Sequence, residues 1–178
     1  MKLVRRLAVT LVVLMLAWLA LPWMESAWYM AQLSAMPAPA TLPMPIASVA
    51  PRGLADTWGA ARAPARRHEG IDIFAKKGTP ILSTTEGVVL HSGQNQLGGN
   101  VVWIMGPAGH RHYYAHLDTF AGLSRGQRIA AGTVVGYVGN TGNARTTPPH
   151  LHYGIYTIGG AINPYLLLAG PAPRQSSR

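Results

Sequence analysis

From Leu7 to Met24 the chain is apolar at every position but Thr10, and Lys2, Arg5 and Arg6 precede the run. As a helix, at about 1.5 Å rise per residue, this stretch spans roughly 27 Å, close to a hydrocarbon core of about 30 Å. Trp18, Trp23, Trp28 and Tyr29 gather toward its far end, as interfacial aromatics do. The pattern predicts a basic flank over 1–6 in the cytoplasm and a single-pass anchor over 7–24, with the rest of the chain on the outer, periplasmic side. A cleaved signal peptide is the competing reading. The run is longer than a usual signal core, Glu25-Ser26-Ala27 is a poor cleavage site and Leu33-Ser34-Ala35 only a fair one. Residues 25–55 then bring Pro37, Pro39, Pro43, Pro45 and Pro51 among alanines and methionines, which excludes a helix or central strand from 34 onward. A Pro/Ala-rich linker is expected over 25–55. In polyproline form Met36 to Pro51 would reach roughly 50 Å, a spacer that lifts the following domain off the membrane, with an ordered coil packed on the domain as the alternative.

After Asp56 the periodicity changes to that of strands. Short runs rich in Val, Ile and Tyr occupy Glu86 to Ser92, Asn100 to Met105, His110 to His116, Thr133 to Val138 and Leu151 to Thr157. Turn formers separate them at Gly93 to Gly99, Gly106 to Gly109 and Gly139 to Pro149. No helical period and no internal repeat is found beyond Asp56. The expected fold is all-β, antiparallel sheets forming an open groove with long loops, over a domain at 56–168 followed by a tail at 169–178. Because alternate strand residues face one side, Asp72 shares a face with Gly70, His150 with His152, and His110, His112, Tyr114 and His116 with one another. Polar side chains on one surface, with apolar ones behind, predict a groove floor. A straight strand would hold His68 and Asp72 about 13 Å apart, so the chain is expected to bend between them at Gly70.

Composition changes this picture only modestly. The 178 residues carry a net charge of +9 and no cysteine, which removes disulfides, thiolate metal sites and a lipidated-cysteine anchor. A basic surface suits an anionic polymer or a plain solvated face equally well. Nucleic acid is an unsuitable partner, given the outward location and the lack of basic residues interleaved with aromatics.

The chemistry lies in three short stretches, His68-Glu69-Gly70-Ile71-Asp72, Tyr114-Ala115-His116-Leu117 and His150-Leu151-His152. Histidine and aspartate are ligands that zinc accepts, and a catalytic zinc takes three protein ligands and keeps one position open. One aspartate and four histidines therefore make the inventory of a metal hydrolase. In order and spacing these stretches, together with Gly78-Thr79-Pro80, Gly132-Thr133-Val134-Val135-Gly136, Gly139-Asn140-Thr141-Gly142 and Asn163-Pro164, resemble the lysostaphin-type (LytM) zinc peptidases that cut bacterial peptidoglycan.

That resemblance implies one zinc per chain bound by His68, Asp72 and His152, and catalytic roles for His116 and His150. Two neutral imidazoles and one carboxylate leave zinc a net +1, so that its bound water titrates near about pH 7. His150, next but one to a ligand, is the candidate base, and His116 the group that stabilises the oxyanion or protonates the leaving amine. The sequence leaves the division between them open. Tyr114 is a further oxyanion candidate, balanced against a stacked structural tyrosine. Glu69 falls off the alternating face and ranks low as a base. His91, His110 and His112 read as surface or rim histidines, Asn143 and Thr146 as groove wall, and Lys76, Lys77, Arg111 and Arg145 as solvated charges. Gly154 departs from the family, many of whose members carry an acidic residue there. The implied function is a membrane-anchored endopeptidase acting on peptidoglycan stem peptides or cross-links. The alternative is a non-catalytic domain of this type that binds and activates a cell-wall amidase; such domains lack ligands or catalytic histidines, whereas all five positions are filled here.

Overall fold

The structure, a computed structural model, describes residues 2–62 and 65–170. Met1 of the expected basic flank and the tail from 171 onward lie outside them. Helix α1 (Lys2–Ala35) is followed by eleven strands: β1 (Ala61–Arg62), β2 (Arg66–Arg67), β3 (Ile71–Phe74), β4 (Pro80–Leu82), β5 (Gly87–Asn95), β6 (Gly99–Met105), β7 (Arg111–Phe120), β8 (Arg128–Ile129), β9 (Val134–Val138), β10 (His150–Thr157) and β11 (Gly160–Ile162). A single turn of helix, α2 (Tyr165–Leu168), closes the series. The domain is mostly antiparallel sheet, as the strand periodicity predicts.

Nine of these strands form one sheet in the order β11-β10-β7-β6-β5-β8, with β3 on β10 and with β9 joining β4 to β7. Every pairing is antiparallel. Strands β1 and β2 make a separate hairpin. Strand β10 is the hub: His152 lies opposite Asp72 of β3 on one side and Ala115 of β7 on the other. The core lies behind this hub, where Ile71, Ile73, Leu151, Tyr153 and Ile155 point away from the histidines and join Ile81, Val89, Val102, Ile104, Leu117 and Val138.

The proline-rich segment is not the extended spacer expected of it. Helix α1 continues through residue 25 to Ala35, and Leu33 near its end is fully buried. Arg128 Nη2 donates to the carbonyl of Glu25 at 2.7 Å, and its guanidinium lies 4.5 Å from the centre of the Tyr29 ring. Beyond the helix, Leu42, Ile46 and Leu54 enter the core cluster. Leu42 N–H donates to the Leu167 carbonyl, and Leu82 N–H at the end of β4 to that of Pro45. Proline forbids regular structure but not burial, so the aliphatic residues between the prolines close an open flank of the core as an ordered coil. Ile46→Ala should therefore cost about 2–5 kcal/mol of stability, read as the urea unfolding free energy of the detergent-solubilised chain. A free-tethering segment would show no change.

Candidate active site

Asp72, His150 and His152 come from paired strands, whose alternation places all three on the face opposite the core. His68 arrives from the chain just after β2, held by its N–H on the Ala60 carbonyl and its own carbonyl on Gly59 N–H, both at 2.9 Å. Gly70 allows the approach by being small. Its φ is not in the left-handed region, yet a Cβ there would lie 2.7 Å from His152 Cε1 and from the Tyr153 carbonyl oxygen. The bend expected at Gly70 is thus a close crossing of two chains.

His68 Nε2, Asp72 Oδ1 and His152 Nδ1 converge. Separations are 2.8 Å between the two nitrogens and 3.1 Å from each to the carboxylate oxygen. Two atoms each about 2.1 Å from a tetrahedral zinc sit roughly 3.4 Å apart, so the trio has the size such an ion needs. His68 Nδ1–H donates to the Thr57 carbonyl at 2.7 Å, which turns Nε2 toward the other two. Burial alone would raise the Asp72 carboxyl, but hydrogen bonds from His152 and His68 and their charges prevail and hold it well below the usual carboxylate range. Burial pushes His152 down, against the pull of Asp72. A carboxylate oxygen facing two imidazole nitrogens is a donor set able to hold a metal ion, and among the described residues it is the group of this kind.

His116 and His150 flank the trio. Their rings are 5.0 Å apart, His116 is 5.9 Å from His152, and His150 Nε2 is 3.9 Å from Asp72 Oδ1. Each is oriented by a carbonyl: His116 Nδ1–H donates to Thr141 at 2.9 Å and His150 Nδ1–H to Pro148 at 2.8 Å. Thr141 is itself pinned, its hydroxyl donating to the Leu117 carbonyl and accepting from Asn100 N–H. Burial, then the neighbouring His152 and His150, push His116 down to about 4. It is neutral near pH 7, with an accepting Nε2.

The alternation predicted for β7 holds only up to His116. His112 and Tyr114 point into the core, while Tyr113 and Ala115 line the groove. His116 reaches the groove through a left-handed backbone, φ 64°, beside a bulge between β6 and β7. Tyr114 is therefore withdrawn as an oxyanion candidate. It is fully buried, its hydroxyl accepting from Thr84 N–H at 3.0 Å behind the sheet. Tyr113 stands on the groove side instead, its hydroxyl accepting from Asn95 Nδ2 at 3.1 Å and its ring 5.8 Å from His152. Nothing in the sequence separates the two tyrosines, because the phase depends on the bulge. His112 is not a surface histidine either: burial pushes it down to about 3, and Nδ1 meets the Tyr153 hydroxyl at 2.7 Å.

The groove has a volume of about 810 Å³ and runs past Glu69, Leu97, Trp103, Asn143, Thr147 and Tyr156. Arg62, Arg66 and Arg67 of the β1–β2 hairpin line it as well. Asn143 is thus a wall residue, and Thr147 rather than Thr146 joins it. Arg145 lines a smaller neighbouring hollow with Asn95 and Gln96, and Lys77 pairs with Asp118 at 3.0 Å. At Gly154 a side chain would press on the Glu69 carbonyl and the Tyr156 ring, at 3.0 and 3.1 Å.

The chain is similar to known proteins in sequence and in fold. The chain is 44% identical over 121 residues to the L-Ala–D-Glu endopeptidase of Bacillus subtilis, a match covering 61% of this chain and 37% of that protein. It is 40% identical over 108 residues to the DD-carboxypeptidase/endopeptidase Mpg of Neisseria meningitidis, covering 61% and 24%. The chain thus spans well under half of the length of these curated relatives. Among solved structures, the catalytic domain of lysostaphin from Staphylococcus simulans superimposes with a TM-score of 0.57 at 27% identity, over 64% of this chain and 91% of that one. Csd3 of Helicobacter pylori does so with 0.60 at 32%, over 74% and 35%. The profile of peptidase family M23 matches residues 66–164, more than half of the sequence, and the chain belongs to that family.

Proposed function

We propose that this protein is a zinc endopeptidase that hydrolyses peptide bonds in peptidoglycan stem peptides or cross-links. The observation that carries the reading is the convergence of His68, Asp72 and His152 beside two carbonyl-anchored histidines in an open groove. In this reading His68 Nε2, Asp72 Oδ1 and His152 Nδ1 hold the metal. Zinc there supplies a Lewis acid that acidifies water and polarises a carbonyl. His150, with Nε2 nearest Asp72, accepts the proton of the attacking water. His116, neutral and locked by Thr141, turns an accepting Nε2 to the same groove and takes a hydrogen bond from that water, while the proton gained by His150 passes on to the leaving amine. The named relatives are endopeptidases, among them the L-Ala–D-Glu and DD enzymes, which supports an amide bond of the peptidoglycan peptide as the target. A non-catalytic amidase activator has no observation in its favour, since all five polar positions are filled.

The reading extends to location. Residues 7–24 serve as the membrane anchor, with 1–6 cytoplasmic and the domain at 56–168 on the outer side. Among the described residues, none of the most apolar window of the helix is buried against the domain, the property a lipid-facing span requires. Arg128 of the domain meets α1 at the Glu25 carbonyl, one residue beyond the span, which favours wall close to the membrane as substrate.

The test is mass spectrometry of fragments released from purified sacculi and defined muropeptides by the full chain. New amino and carboxyl termini at one amide bond are expected, abolished by a zinc chelator and restored by added zinc. Release that persists in chelator would overturn the metal reading, and no release from any wall preparation would overturn the substrate.

A further inference from the structure

We infer that Arg62 is a positioning residue of the metal site: it holds the outer oxygen of Asp72 so that the inner one stays aimed at the ion. The inference rests on the zinc reading above. The two carboxylate oxygens have separate partners. Oδ1 faces His68 Nε2 and His152 Nδ1, each at 3.1 Å, while Oδ2 pairs with Arg62 Nη2. Asp72 is 9% exposed and Arg62 43%. A half-exposed guanidinium adds little to folding stability. On a buried carboxylate it does something else, because a permanently charged N–H held on Oδ2 restrains the rotation of the acid and keeps Oδ1 toward the two histidines.

The backbone is arranged for this contact. Arg62 pairs with Arg66 in the β1–β2 hairpin, and the same ladder continues through Ala60 and Gly59 onto both backbone groups of His68. Two residues further back, the Thr57 carbonyl orients the His68 ring and the Thr57 hydroxyl accepts from Asp72 N–H at 3.0 Å. The stretch 57–62 thus touches two of the three proposed ligands at five points, yet it precedes the residues matched by the family profile, 66–164. Outer contacts of this kind set ligand orientation and basicity, and their loss commonly costs 10–100-fold in metal affinity.

The experiment measures zinc affinity of the full chain by competition with a chromophoric chelator, together with the visible spectrum of the cobalt-substituted protein. R62A and R62Q should each bind zinc about 10–100-fold more weakly and shift the cobalt bands. R62K, which keeps charge but not the fork, should recover part of the affinity. Thermal unfolding of the metal-free variants should stay within about 3 °C of the parent. On a muropeptide substrate at saturating zinc, kcat should fall with KM little changed. Zinc affinity within twofold of the parent in both R62A and R62Q would overturn the proposal. So would a raised KM with unchanged affinity and spectrum, which would make Arg62 a substrate contact. Failure of the unaltered chain to bind zinc would overturn the underlying zinc reading instead, and this one with it.

Discussion

Replacing Asp72 by alanine is expected to abolish zinc binding and peptide release together. Asp72 is the carboxylate of the trio and the group on which its other members converge: His68 Nε2 and His152 Nδ1 both lie 3.1 Å from Oδ1. Without it two imidazoles face each other at 2.8 Å, a pair that offers zinc no negative charge to offset its own. Zinc content should fall from about one per chain to below roughly a tenth, with fragment release from sacculi at the level of the chelated control. Asp72→Asn separates charge from shape: it keeps the volume, loses the charge and should fail in the same way. Zinc retained near one per chain in either variant would remove Asp72 from the ligand set.

His116 supports a second expectation, that His116→Ala and His116→Gly are equally inactive but unequally stable. Both remove the imidazole and should lower kcat by about 10²–10⁴, the usual contribution of a positioned acid or base, while zinc binding persists. At φ 64° a Cβ costs about 1–2 kcal/mol that glycine escapes, and the greater backbone entropy of glycine returns about 0.5–1. The glycine variant should therefore unfold at higher urea concentration than the alanine variant, by up to roughly 1.5 kcal/mol. The parent accepts this local strain to present Nε2 to the groove, which is where strained backbone commonly collects. A kcat near that of the parent in either variant would show that His116 takes no part in the reaction.

The strand alternation was legible wherever a strand ran without interruption. In β3 and β10 the period of two places Asp72, His150 and His152 on one face and Ile71, Ile73, Leu151 and Tyr153 on the other, and the paired register agrees. In β7 the same rule misassigned Tyr114 and His112, because one left-handed residue beside a bulge reverses the phase after Ala115. The bulge has no mark in the residues themselves, and although histidine adopts positive φ more often than most residues, its type alone does not place one at His116 inside a run of strand formers. Helix α1 runs two residues past the expected limit, to Ala35, and a 3-10 turn begins at Pro51; between them the prolines leave a coil, but they could not say whether it would stay in solvent. Leu42 and Ile46 decide that by finding an uncovered flank of the core, a property of the assembled sheet.

By itself, then, the sequence determined the apolar N-terminal run, the antiparallel strands and the identity of the five polar residues, because each depends on local spacing and side-chain type. The tertiary structure decided which of those side chains meet and at what distance. It put Tyr113 in the groove instead of Tyr114, laid the proline segment on the core, and brought Thr57 and Arg62 against His68 and Asp72. Those contacts join strands and loops that local spacing along the chain does not relate. They arise from the packing of one sheet against its own hairpin, which no period along the chain encodes.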